Sequence, residues 1–172
     1  MKKVLATLMV MFAVITASAQ DMYLGGGIGI WANTDTDNTN FSITPDFRYG
    51  LNDKWAVGGG LTLDITGGNG STSTAFAINP YARWTYWNNG AVSLFLDMGF
   101  GVSVNKTKHV DADAGFELGV RPGVAIELND KFSVFTKIGF AGFRTDYLGN
   151  GNTGVGVYGD GNGLSFGIEY AF

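Results

Sequence analysis

The sequence predicts an all-β protein: a closed eight-stranded antiparallel up-and-down transmembrane β-barrel preceded by a cleavable signal peptide. Three observations predict it. Apolar residues alternate with small or charged ones through segments of roughly ten to fourteen residues. The connectors between those segments alternate between short and long. Glycine, present 27 times in 172 residues, gathers on the charged parity of the strands, not the apolar one.

The leader comes first. Residues 1–19 carry Lys2 and Lys3, an apolar run from Val4 to Ile15, and the small-residue site Ala17-Ser18-Ala19, with cleavage expected before Gln20. The run falls short of the ~20 residues a helical span needs, so it reads as a signal peptide and not an anchor. The barrel is expected over residues 20–172. Removing Lys2 and Lys3 from the 11 basic side chains leaves 9 against 15 acidic ones, a net charge of −6 with His neutral. That balance gives no footing for nucleic acid. There is no cysteine, so disulfides play no part.

The strands are expected at 22–32, 41–51, 55–66, 74–87, 91–104, 114–128, 132–144 and 162–172. "NDK" after Leu51, "NNG" after Trp87 and "NDK" after Leu128 are short turns. "NTDTDNTN", "TGGNGSTS", "NKTKHVDAD" and "TDYLGNGNTGVGVYGDGNG" read as polar loops at the opposite end. "YGLNDKWAVGG" returns as "IELNDKFSVFT", a turn solution used twice.

One parity is apolar on every strand, from Phe41, Ile43 and Phe47 through Leu94, Leu96 and Met98 to Phe166, Ile168, Tyr170 and Phe172, with Arg144 the exception at a loop margin. It includes Phe132, Val134, Ile138 and Phe140 on the seventh strand, and Trp55, Trp84, Tyr86, Phe132 and Tyr170 form the expected aromatic girdle. The other parity holds the charges. Arg48, Arg83, Asp97, Arg121, Glu127, Lys137 and Glu169 are expected to make one charge network there, beside inward Tyr81 and Phe95. Eight strands leave an interior only just wide enough for side chains, so glycines on that parity offset the long ones. On a solvated outer face each glycine would only weaken its strand. The polar face is therefore inside and the apolar face meets lipid.

Catalytic and ligand motifs are weak. His109 is the only histidine, in a polar loop, with Ser103 its nearest serine. "GGGIGIWA" lacks the following helix of a dinucleotide fingerprint, and "DTDNTN" lacks the glycine and distal glutamate of a calcium loop. No Cys or His cluster suits zinc or iron, and no cofactor is expected.

The leader, the eight alternating strands, the Asn-Asp turns and the terminal "FGIEYAF" resemble the small porin-like outer-membrane β-barrels of Gram-negative bacteria, of the OmpX and OmpA-barrel type. The resemblance implies residence in the outer membrane, contact with its lipid, and an assembly signal at Ile168, Tyr170 and Phe172 read by the barrel assembly machinery. It brings no catalytic motif, so a non-enzymatic structural or surface-interaction role is expected, with an unknown extracellular ligand at the loops. A narrow channel for ions or small solutes is the alternative, and a lipid-modifying enzyme built on His109 and Ser103 is a third reading.

Overall fold

The computed structural model describes residues 22–33, 38–68, 71–107, 111–149, 151, 153–158 and 164–172. The leader and His109 lie outside the described residues. Alternation produces ten antiparallel segments: β1 (Met22–Asn33), β2 (Asn38–Gly50), β3 (Trp55–Gly68), β4 (Ser71–Asn88), β5 (Val92–Thr107), β6 (Asp113–Glu127), β7 (Phe132–Ile138), β8 (Phe140–Thr145), β9 (Thr153–Tyr158) and β10 (Leu164–Ala171). Sequence neighbours pair from β1 to β7, and β10 pairs both β7 and β1, so the sheet closes on itself. β6 pairs with β7 over Gly123–Glu127 and with β8 over Phe116–Val120. β7 and β8 are thus two halves of one stave, and the barrel has eight.

That divided stave corrects the expected strand at 132–144. It breaks at Gly139, whose φ of +69° is a conformation L side chains rarely adopt. The register slips by one residue across it: Gly123 faces Lys137, whereas Val120 faces Ala141. A one-residue slip exchanges the two faces. Phe140, expected to face lipid, is therefore buried, Phe143 faces outward, and Arg144 turns into the lumen.

Two further departures concern length. The expected loops at 33–40 and 67–73 are partly strand, since β1 runs to Asn33, β2 starts at Asn38, and β3 and β4 stay paired to Gly68 and Ser71. Threonine-rich polar segments can keep pairing beyond the apolar band because β-branched side chains suit a strand even when both faces are wet. The segment read as one long loop after Arg144 contains β9, which pairs with β8.

The short turns follow from asparagine. Asn52 Oδ1 accepts from the Lys54 and Trp55 amides at 3.0 Å each. Asn129 Oδ1 accepts from the Lys131 and Phe132 amides at 2.9 and 3.0 Å, so the repeated "LNDK" is one turn made twice. A side-chain oxygen here replaces the backbone partner a tight reversal cannot supply.

Above these turns sit the aromatics. Trp55 and Trp84 stack with centroids 6.2 Å apart, Tyr86 leans on Trp84 at 5.8 Å, and Phe132, Tyr170 and Phe172 meet edge-on at 5.1 and 5.2 Å. A bulge between Thr85 and Trp87 brings Trp87, inward by simple parity, out to the same surface as Tyr86.

Candidate functional site

The lumen is where chemistry-bearing side chains converge. Every inward charge sits on a strand whose opposite face is apolar, so parity alone delivers it there. Space is made by glycine on the neighbouring strand. A Cβ on Gly58 would stand 2.8 Å from the Tyr81 ring, and one on Gly167 would collide with Phe135.

Arg83 organises the turn-side half. Its Nε and Nη2 donate to the two oxygens of Asp97 at 2.7 and 2.9 Å, and its Nη1 donates to Glu169 Oε1 at 3.4 Å. The guanidinium lies over the Phe95 ring, 3.7 Å from its centroid. Glu169 Oε2 accepts from Arg48 Nη2 at 2.7 Å, and Asp97 Oδ2 receives Lys137 Nζ at 3.1 Å. Three cations thus share two carboxylates in one chain, Arg48–Glu169–Arg83–Asp97–Lys137. Such buried groups are costly to desolvate and tolerable only when each is paired and hydrogen-bonded.

A second cluster occupies the outer half, centred on Glu117. Arg121 Nη2 donates to its Oε1, which also accepts from Asn79 Nδ2 at 3.1 Å. Arg144 donates to its Oε2 through Nε and Nη2 at 3.2 and 2.8 Å. Both guanidinium groups face the Phe140 ring. A single 3-10 turn at Tyr147–Gly149 roofs this cluster, with Tyr147 dropped into the lumen and its hydroxyl donating to Asn79 Oδ1 at 2.6 Å. Burial, and then the charge of Glu117, push the Tyr147 hydroxyl up to about 12, so it stays a donor across the physiological range. The turn is held by the Leu148 amide donating to Ser103 Oγ at 2.9 Å.

The expected single network is therefore two. Arg48, Arg83, Asp97, Lys137 and Glu169 come together; Arg121 does not join them, although Asp97 is its register partner on β5. Asp97 is already held by Arg83 and Lys137, and Glu117, four residues back on the same strand, takes Arg121 instead. Glu127 is a correction of another kind: it is exposed at the turn end and has no ion pair among the described residues, because the inward row runs out of the barrel there. Glu117, Arg144 and Tyr147 were missed as site residues. Glu117 was legible as inward, whereas the other two depend on the slip at Gly139.

Two chambers flank the turn-side network. The outer one, about 440 Å³, includes Asp97, Phe135 and Lys137 in its lining, and the turn-side one, about 500 Å³, includes Arg83, Phe95 and Glu169. They share no lining residue, so the salt-bridged layer and its two phenylalanines separate them. Among the described residues no cluster of metal-ligating side chains occurs.

No curated protein matches the chain. Among solved structures it is similar to Ail, the attachment invasion locus protein of Yersinia pestis, at 14% identity over 87% of this chain and 92% of that one, with a TM-score of 0.45. It is also similar to OmpT, an outer membrane protein of Vibrio cholerae in its trimer form, at 13% identity over 87% of this chain and 51% of that one, with a TM-score of 0.40. The family model described as outer membrane protein beta-barrel domain matches residues 4–172. With a closed eight-stranded wall that is apolar outside and charged inside, the chain belongs to that family of outer-membrane β-barrels of Gram-negative bacteria.

Proposed function

We propose that this barrel is a non-conducting envelope protein with a structural or surface-interaction role, its outer loops meeting a ligand outside the cell. The observation that carries the reading is the Arg48–Glu169–Arg83–Asp97–Lys137 layer, which stands between the two chambers. A water column through it would need five paired side chains to part, and an unpaired charge in such a site is strongly destabilising. No catalytic role is part of this reading. Lipid is the bulk partner, and the barrel assembly machinery is the proposed reader of Ile168, Tyr170 and Phe172.

Conductance is the measurement that separates this reading from the channel alternative. Refolded protein in a planar bilayer is expected to give no steps above background in molar salt. Reproducible unit steps from the wild type would replace the structural reading with a channel for ions or small solutes.

A further inference from the structure

The turn that roofs the outer half is a hairpin tip folded inward. β8 and β9 stay paired up to Thr145 and Thr153, and the chain between them drops into the barrel at residues 146–149. The wall beneath is shaped to receive it. Inward positions there are small: Ala75 and Ala77 on β4 are buried, a Cβ on Gly101 of β5 would stand 2.8 Å from the Tyr147 ring, and one on Gly115 of β6 would collide with the Asp146 carbonyl. Tyr147 itself is only 3% exposed.

Side chains of the wall hold the turn in place. The Tyr147 hydroxyl donates to Asn79 Oδ1 at 2.6 Å, the Leu148 amide donates to Ser103 Oγ at 2.9 Å, and the Asp146 carbonyl accepts from Asn105 Nδ2 at 3.0 Å. The turn also binds itself: the Gly149 amide donates to the Asp146 carbonyl at 3.1 Å, and the Gly151 amide donates to Asp146 Oδ1 at 2.8 Å. It is therefore a unit. The wall is complete without it, because the ladder pairs Ala77 with Ser103 and Ser103 with Gly115 behind the turn. Closure has two costs. Leu148 holds a φ of +58°, a left-handed backbone that a leucine keeps only where its surroundings impose it. Asn105 Oδ1 is buried with no hydrogen-bond partner, a loss that water would repair if the turn moved away. The groups facing the turn, Asn79, Ser103, Asn105 and Glu117, are all polar, so water can meet each of them once it leaves.

We propose that residues 146–149 are a latch, which leaves its socket as one piece while the barrel stays folded. It swings about the Thr145–Thr153 pair and uncovers the Glu117 cluster and the outer chamber to the space beyond the membrane. Local opening of this kind breaks side-chain bonds and no part of the barrel ladder, so it costs far less than unfolding. Shut, Tyr147 fills the mouth of the outer half. Open, Asn79, Ser103 and Asn105 are free to meet solutes from outside. The latch lies on the outer side of the Arg83 layer, so it does not depend on whether the barrel conducts.

The chain has no cysteine, so one introduced thiol reports alone. Ala77→Cys puts it at a fully buried inward position in register with Ser103, and Ala75→Cys, in register with Asn105, is a second probe of the same socket. Ala56→Cys, in the lining of the turn-side chamber, is the control. Refolded protein in detergent is treated with a charged maleimide, and heat-modifiable gel mobility follows the folded fraction. The thiols of Ala77→Cys and Ala75→Cys are expected to react while the barrel stays folded. Adding Tyr147→Ala is expected to speed that reaction at least about tenfold, because a buried ring and its hydrogen bond no longer hold the closed state. Tyr147→Phe, which keeps the ring, is expected to speed it less, and neither change is expected to alter the rate at Ala56→Cys. Labelling of the socket probes only as fast as the folded band is lost, or a rate unmoved by Tyr147→Ala, would overturn the latch. Rates that rise together at socket and control in Tyr147→Ala would also overturn it, and would make Tyr147 a prop of the whole fold.

Discussion

The two halves of this barrel are built by the same strands and solve opposite problems. In the turn-side half the ladder is continuous around the wall, the aromatics stack over it, and five charges inside are linked through Arg83, itself only 2% exposed. In the outer half β1 and β9 present edges without partners among the described residues, and the charges gather around Glu117 beneath a single turn. Closure and charge burial go together. Where hydrogen bonds seal the wall, water is kept from the interior and every charge must be paired by protein. In the outer half, where β1 and β9 have edges without partners among the described residues, Arg121 remains 29% exposed. Stability in one domain is unevenly spread in this way, and the softer end is where binding is accommodated.

The strongest way to break the comparison is to remove the central cation of each half. Arg83→Ala strands Asp97 and Glu169 and is expected to lower unfolding stability by ~3–5 kcal/mol. Arg121→Ala leaves Glu117 with Arg144 and Asn79 and is expected to cost ~1–2 kcal/mol, near the worth of one hydrogen bond to a charged group. Urea titrations in lipid compare them directly; equal losses would show that both halves are equally dry.

A gentler version exchanges apolar for polar on the outer surface. Phe172→Ser removes a ring set edge-on to Tyr170 and disturbs the terminus whose amide donates to Met22 O at 3.0 Å, closing the barrel. Ile30→Ser makes a similar change on the part of β1 that has no β10 partner among the described residues. Heat-modifiable gel mobility of membrane-extracted protein is expected to show folded yield reduced several-fold for the first and little changed for the second, as the burial of one aromatic side chain would suggest. Similar yields would count against an assembly signal at the C-terminus.

The smallest effect is local. Among amides of β1 that point toward the seam, those beyond Gly26 are expected to exchange with deuterium at least about tenfold faster than those between Tyr23 and Gly26, without any change in global unfolding. Uniform protection along β1 would mean that the seam zips in the bilayer.

Much of this was legible in the residues. Alternation placed Asp97, Arg121 and Glu169 inside, and the glycines sharing that parity with Tyr81 and Phe95 argued for a crowded lumen. Partnership was not legible, because parity fixes a face and not a neighbour: Asp97 lies in register between Arg83 and Arg121, and only the reach of the side chains decides that it takes the first. Gly139 was not legible either. It stood among many inward glycines, and nothing in its spacing separated a space-saving glycine from one with a left-handed backbone. Phe140 and Arg144 were misassigned for that reason alone. β9 was hidden because "TGVGVY" is embedded in a glycine- and asparagine-rich stretch that reads as loop.

Gly139 also gives the wall a phase. Lipid reads every second residue of a strand, and the slip at Gly139 changes the frame in which the seventh stave is read, so that one set of letters faces the bilayer before it and the other set after it. A strand that spells its two faces in a fixed frame can gain or lose residues in pairs and still present oil to oil. A single insertion or deletion inverts everything downstream as far as the next slip. The stave carrying both Lys137 and Arg144 inward, at an odd spacing that no unbroken strand permits, contains its own compensating frameshift.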